Sequence, residues 1–251
     1  MNNYIIVIPS YQRSIMLHTH TLLLLDSYNI PHKNIHILLE NEKEQDDYSL
    51  SADYNILLHY QTGIGSTRQF VRNFYKYNTD HKYIVCLDDD INEIRDYKDV
   101  LKDLNKFILN MFKHTEEQGL NYWGVSNYHN TFYMKEEITT GLKYIAAAFT
   151  GTIIDRKKEI INVPYNTLED FVSSCEYFLR DGGIVRHNSV WLKTKYFNPG
   201  GIQSQYGSES IRKLAMEKDS LIIKDDYGPM VKRIKKSWGY DLQINSRFRL
   251  C

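Results

Sequence analysis

Three consecutive carboxylates, Asp88-Asp89-Asp90, are the residues of this 251-residue chain that are hardest to explain as packing. They follow directly on the apolar run KYIVCL (82–87). Carboxylates crowded at the end of a buried strand repel one another, and a divalent cation relieves that repulsion. Hard oxygen donors suit Mg2+ or Mn2+, ions that bridge one or two protein carboxylates to substrate phosphates. In extended backbone, alternate residues point to opposite sides, so Asp88 and Asp90 share a direction and Asp89 takes the other. We assign Asp88 and Asp90 to a metal, with Asp90 the better ligand, and Asp88 and Asp89 to a nucleotide. An acidic turn after a strand is the plain alternative.

The segment TGIGSTRQFVRN (62–73) is a second candidate. Gly63 and Gly65 permit close approach to the backbone, and a helix N-terminus, with Ser66 as its cap, favours an anion. Arg68 and Arg72 lie four residues apart and share a helix face. Gly65, Arg68 and Arg72 could together contact a pyrophosphate or a sugar; an ordinary capped helix with solvated arginines is the alternative. The spacing is neither that of a Walker loop nor that of a dinucleotide fingerprint. Pro9, Ser10 and Arg13 follow the first apolar run, and Glu40 closes the second, where ligands of open α/β sheets bind. Glu169 and Asp170 open a later helix; such carboxylates either cap the helix or act as a general base toward an acceptor hydroxyl. His187 is a candidate metal or phosphate contact, although a lone His is more often structural. Asn127, Arg186, Gly200 and Gly201 are assigned to the acceptor side.

The elements that must position these groups alternate. Apolar runs at 4–10, 34–40, 54–60 and 82–87 read as strands, with a helix predicted over 19–28 and another opening at Ser66. The acidic stretch 41–53 reads as an exposed loop. Residues 101–118 carry Leu101, Leu104, Ile108, Met111 and Phe112 at helical spacing. Further on, YWGVSN is a short strand, 142–155 one or two strands, 169–179 a helix capped by Thr167, 182–197 a strand, 208–218 a helix and 220–224 a short strand. Alternating strands and helices predict an α/β fold with a mostly parallel central sheet and helices on both faces. No linker-like stretch divides it. We expect one domain, with a ligand-binding half (1–126) and an acceptor half (127–251) ending in a basic extension.

Composition narrows the function. The 31 Lys and Arg balance 31 Asp and Glu, which argues against a protein that coats nucleic acid uniformly. The balance hides a gradient: residues 186–251 hold 13 Lys and Arg against 6 Asp and Glu, about +7, and the rest of the chain about −7. Lys232, Arg233, Lys235 and Lys236, with Trp238 beside them, could hold phosphates and stack on bases; a basic tail packed on an acidic neighbour is the alternative. Three unpaired cysteines and no apolar run of membrane-spanning length lead us to expect a cytoplasmic protein with no membrane partner.

The ordered set IPSYQR, GIGSTRQFVRN, CLDDDI, GVSN, TLEDF, DGGIVRHN and KYFNPGG resembles the nucleotide-sugar glycosyltransferases of the GT-A class, whose fold is Rossmann-like. Its finer pattern is similar to the TET-associated glycosyltransferases, relatives of the base J glucosyltransferase with phage and viral members. The resemblance spans roughly residues 4–207; nothing after Gly207 matches. It implies a metal-dependent transferase using Mn2+ or Mg2+ and a nucleotide-sugar donor, UDP-glucose as first choice. The acceptor implied is the hydroxyl of a 5-hydroxymethylpyrimidine in DNA. Asp88 and Asp90 match the metal and nucleotide positions, Arg13, Arg68 and Arg72 the basic contacts, and Asp170 the base. A protein or glycan acceptor is the nearest alternative, and a non-catalytic binding module of the same fold is a third.

Overall fold

The run YIIVIP forms β1 (Tyr4–Pro9), buried because both of its faces are covered. Tyr4, Ile6 and Ile8 point into one core with Leu17, Leu25, Ile108 and Trp123, whereas Ile5 and Val7 point into another with Leu38, Val71, Tyr75 and Ile84. That is why this strand reads as a continuous apolar run and not as an alternation. The structure, a computed structural model, describes residues 4–127, 130, 134, 137–194, 200–237 and 239–250. Trp238 and the end of the strand expected over 182–197 lie outside the described residues.

After β1 come α1 (Ser14–Leu17), a π-helical turn (His18–Leu22) and α2 (Leu23–Ser27), then β2 (Ile35–Leu39), α3 (Glu42–Tyr48), β3 (Asn55–Leu58), α4 (Ile64–Tyr77) and β4 (Tyr83–Leu87). The chain continues through β5 (Ile91–Asp96), β6 (Asp99–Val100), α5 (Leu104–Glu117), β7 (Tyr122–Ser126), β8 (Ile138–Gly141), β9 (Phe149–Ile153), α6 (Glu169–Asp181) and β10 (Ile184–Thr194). It ends with α7 (Gly201–Tyr206), α8 (Glu209–Tyr227) and the hairpin β11 (Val231–Lys236)–β12 (Gly239–Ile244). The large sheet has the order β3-β2-β1-β4-β9-β7-β10-β5-β6, with β8 also on β10. Pairing directions make seven of its ten strands run one way, with β5, β8 and β9 against them. The mixed sheet is thus mostly parallel, as expected. α4 packs on one face and α5 on the other; a third core joins α6, α8 and the terminal hairpin. No helix among the described residues is long and apolar enough to cross a membrane.

Several local expectations are corrected. The acidic stretch after β2 is not a loop but α3: the Asn41 side chain caps it by accepting from the Glu44 N–H at 3.2 Å, and Glu42 and Glu44 sit in its first turn, where the helix dipole favours them. The Glu44 carboxylate turns back to accept the N–H groups of Glu40 (3.0 Å) and Gln12 (2.8 Å), joining the ends of β1 and β2. Ser66 lies inside α4, whose cap position is Gly63. The cap of α6 is Leu168, in the left-handed region at φ 57°, and Thr167 instead bonds Asp219. Of 142–155 only β9 is strand, and 220–224 continues α8. β5, β6 and β8 were not anticipated.

Candidate active site

A cleft of about 860 Å³ opens where β1, β4 and β7 end. Its lining includes residues 9–11, Arg13, Thr67, Arg68 and residues 88–90 and 125–127, together with Lys143, Tyr144, residues 146–148 and 167–171, Gly201, Arg212, Met216, Lys236 and residues 241–244. Ligands of open α/β sheets bind at this edge.

The three aspartates lie just beyond β4, which ends at Leu87, in the turn that leads to β5, and all three line the cleft. Asp89, 4% exposed, turns inward, accepting the Ser10 hydroxyl at 2.6 Å and Arg13 Nη1 at 3.1 Å. The Ser10 hydroxyl also meets Tyr48 Oη (2.8 Å), which accepts the Arg13 N–H (2.9 Å). Asp89, which also lines the cleft, therefore anchors the Ser10–Arg13 loop. Asp88 faces the cleft with its side chain one-third exposed and takes Arg68 Nη2 at 3.1 Å. Its carbonyl accepts the Thr21 hydroxyl (2.8 Å), whose oxygen in turn accepts the Ile91 N–H (3.0 Å), so the turn is fixed on both sides. Asp90 lies 3.4 Å from Arg13 Nη1. Burial, and then the charges of Asp88 and Asp89, push its carboxyl up to about 7. That crowding is what a cation relieves, and the donors are hard oxygens, so the pair fits Mg2+ or Mn2+. Among the described residues no group of three or more His, Cys, Asp or Glu side chains could enclose a metal. A cation here would take Asp88 and Asp90 and complete its shell from substrate and water.

His187 is not a third ligand. Along β10, Arg186 lines the cleft and His187 does not; its ring stands edge-on to Phe107 of α5, centroids 5.2 Å apart. Nε2 is 3.6 Å from Glu137, and burial holds the imidazole below its usual pKa. Glu40 is also outside the lining, 3.4 Å from the Thr62 hydroxyl.

The start of α4 is not open to an anion. The Asn166 side chain accepts the N–H groups of Gly65 (3.1 Å) and Ser66 (3.4 Å), capping the helix from another segment. The Tyr165 carbonyl fills the space beside Gly65: a Cβ there would lie 1.8 Å from its oxygen. Gly65 thus serves close packing, which corrects its assignment to the nucleotide. Gly65→Ala is expected to destabilise the fold by about 3 kcal/mol or more, because backbone must move to admit the methyl group. Thermal unfolding checks this, and an unchanged midpoint would refute the role.

Arg68 and Arg72 both reach α6. Arg68 Nη1 bonds Glu169 (2.5 Å), and Arg72 Nη2 bonds the Ser173 hydroxyl (2.9 Å), matching the four-residue spacing of α4 to that of α6. Arg68 lines the cleft; Arg72 does not, and its nucleotide role is corrected to a helix–helix tie. Glu169 is committed to Arg68, which leaves Asp170 as the base candidate. Half-buried Asp170 accepts the Tyr144 hydroxyl and the Phe171 N–H (2.9 Å). Burial, and next the Glu169 charge, raise its carboxyl to about 7.

On the acceptor side Asn127 is exposed at the lip, and Arg186 Nη1 donates to the Tyr144 carbonyl (3.2 Å), positioning that tyrosine. Gly201 lines the cleft: its N–H donates to the Tyr11 carbonyl (2.8 Å), and Cβ atoms on Gly200 and Gly201 would fall 2.5 and 2.8 Å from Arg13. The pair seats α7 on the arginine that holds Asp89 and Asp90. The basic hairpin is split by its register. Lys232 and Lys236 share one face with Ile234, Asp241 and Gln243, whereas Arg233 and Lys235 are on the other. Arg233 pairs with Glu217 (3.2 Å) and lies over the Tyr240 ring (3.4 Å to its centroid); of the four, only Lys236 lines the cleft. Tyr144, Lys143 and Arg212 also line it and had no motif to announce them.

No protein-family model and no curated protein matches the chain. Solved structures share its fold. Glucosyl-3-phosphoglycerate synthase from Mycobacterium tuberculosis, in complex with Mn2+ and UDP-glucose, is 7% identical, with TM-score 0.54 over 95% of this chain and 85% of that one. Its complex with Mn2+, UDP and phosphoglyceric acid gives 0.53 at 8% identity and the same coverage. Staphylococcus aureus TarS 1–349 is 11% identical over 88% of this chain and 65% of its own, with TM-score 0.49. The fold is that of the GT-A nucleotide-sugar transferases.

Proposed function

We propose that this chain transfers a sugar from a nucleoside-diphosphate sugar, UDP-glucose as first choice, to a hydroxyl group. The observation that carries this reading is the Arg68 guanidinium, which bonds Asp88 on one side and Glu169, the neighbour of Asp170, on the other. One buried cation thus links a metal-type carboxylate pair to a base-type carboxyl within a single cleft. Asp88 and Asp90 would hold Mn2+ or Mg2+, which when bound neutralises charge on the leaving diphosphate. Arg68 adds fixed positive charge at the same end. Asp170 accepts the proton of the acceptor hydroxyl while that oxygen bonds the anomeric carbon and the bond from that carbon to the diphosphate oxygen breaks, releasing the nucleoside diphosphate. Attack from the side opposite the leaving group inverts the anomeric carbon.

For the acceptor, the resemblance favours the hydroxyl of a 5-hydroxymethylpyrimidine in DNA, and exposed Lys236 in the cleft lining, with exposed Lys232 on the same face of the hairpin, supports it. The neutralised Arg233 favours a second reading, a glycan or protein hydroxyl. Incubation with a UDP-sugar panel, with and without Mn2+, on hydroxymethylcytosine DNA, hydroxymethyluracil DNA and glycans tests both. UDP release that requires the cation, with one sugar mass added to the DNA, is the expected result. Addition to glycans alone replaces the acceptor. UDP binding with neither transfer to any acceptor nor hydrolysis of the sugar nucleotide would leave a binding module.

A further inference from the structure

The chain beyond Gly207 carries no recognised motif, and its surplus charge reads as a tail for polyanions; the structure sends one of those charges elsewhere. α8 begins at Ser208, whose hydroxyl accepts the Ile211 N–H (3.2 Å). One turn in, Arg212 lines the cleft together with Met216 four residues later, while Ile211 and Leu214 are exposed. Burial lowers the Arg212 pKa, and Arg13 and Glu169 are among the charges that act on it. It lines the same cleft as Arg13, Arg68, Asp88, Asp89, Asp90 and Glu169. The segment is also anchored there, since Gly200 and Gly201 rest on Arg13.

Asp88, Asp89, Asp90 and Glu169 are held by Arg13 and Arg68, and Arg212 brings a third guanidinium to the same cleft, into which a leaving diphosphate would carry further negative charge. Guanidinium is the cation best matched to phosphate oxygens and the least costly to desolvate.

We propose that Arg212 binds the donor's diphosphate, so that α7 and the first turns of α8 belong to the donor site and not to a DNA-holding tail. This rests on reading the cleft as a nucleotide-sugar site. Calorimetric titration of the full chain with UDP and with UMP, both with Mn2+, tests it. Arg212→Gln is expected to weaken UDP at least tenfold and leave UMP, which lacks the β-phosphate, within about twofold; Arg212→Lys falls between. Unchanged UDP affinity in Arg212→Gln overturns the inference. So does a parallel loss of UDP and UMP, which would mean that α8 had shifted. If the parent chain binds neither nucleotide, the nucleotide-sugar reading itself fails, and this inference with it.

Discussion

Replacing Asp170 with Asn is expected to lower kcat by about 10²- to 10⁴-fold, the range removed with a general base, and to stabilise the fold above pH 7. Both effects come from one property. Burial, and then the Glu169 charge, raise this carboxyl from 3.8 to about 7, so between those values the folded chain holds a proton that the unfolded chain has released. The stability linked to that proton is fully present below the unfolded value and is lost as pH rises through about 7. Asn carries no such pH dependence. It also keeps both contacts, because the Tyr144 hydroxyl can turn to accept from the amide nitrogen while the amide oxygen keeps the Phe171 N–H. The parent's kcat/KM should rise with pH through a midpoint near 7 as the base ionises, and Asp170→Asn should lose that limb while binding UDP as the parent does. Full activity in the variant, or a lower melting temperature than the parent at pH 8, would rule out the base role. A merely structural carboxylate would show the reverse pairing, with activity retained and stability lost.

What the sequence disclosed and what it hid follow from the range of the interactions. β1, β2, β3, β4 and α5 were legible because burial on one or two faces writes itself into the local pattern. The place of Asp88, Asp89 and Asp90 at the end of β4 was legible for the same reason, but strand alternation does not sort them, because the strand ends at Leu87 and they form the turn after it. The Asn-x-x-Glu spacing that caps α3 was also present at 41–44, but the negative charge around it was read as solvation. Gly65 and Arg72 were misread because their partners lie about a hundred residues away. Nothing near Gly65 says that Tyr165 and Asn166 will occupy the space an anion could have used, and nothing near Arg72 names Ser173. The position of His187 fits the more common, structural reading of a lone histidine: adjacent residues of β10 face opposite ways, which separates it from Arg186 in the cleft. Arg212 left no trace because the apolar residues of α8 do not sort by burial: Ile211, Leu214, Leu221 and Ile222 are exposed, so no stripe marks its inward face.

The same long-range contacts set the largest expected loss of stability. Arg68→Met should destabilise the fold by about 3–5 kcal/mol, the usual result of removing one partner from a buried ion pair. Arg72→Met, which breaks a bond to a neutral hydroxyl, should cost about 1 kcal/mol. The difference lies in what is left behind. Without Arg68, Glu169 remains 9% exposed beside Asp170, and the Asp88 side chain loses a donor at 3.1 Å. A carboxylate stranded in this way rises in pKa, so in the variant Glu169 should take up a proton within the folded state as pH falls. The loss measured by urea unfolding should then be larger at pH 8 than at pH 5, because at pH 5 protonation removes the stranded charge. Adding Glu169→Gln to Arg68→Met should recover most of the loss at pH 8, a non-additivity expected only of groups that interact directly. Equal losses at the two pH values, with no recovery in the double variant, would mean that Arg68 acts through its volume and not its charge. In that case the link between the metal-type carboxylates and the base would be a matter of packing alone.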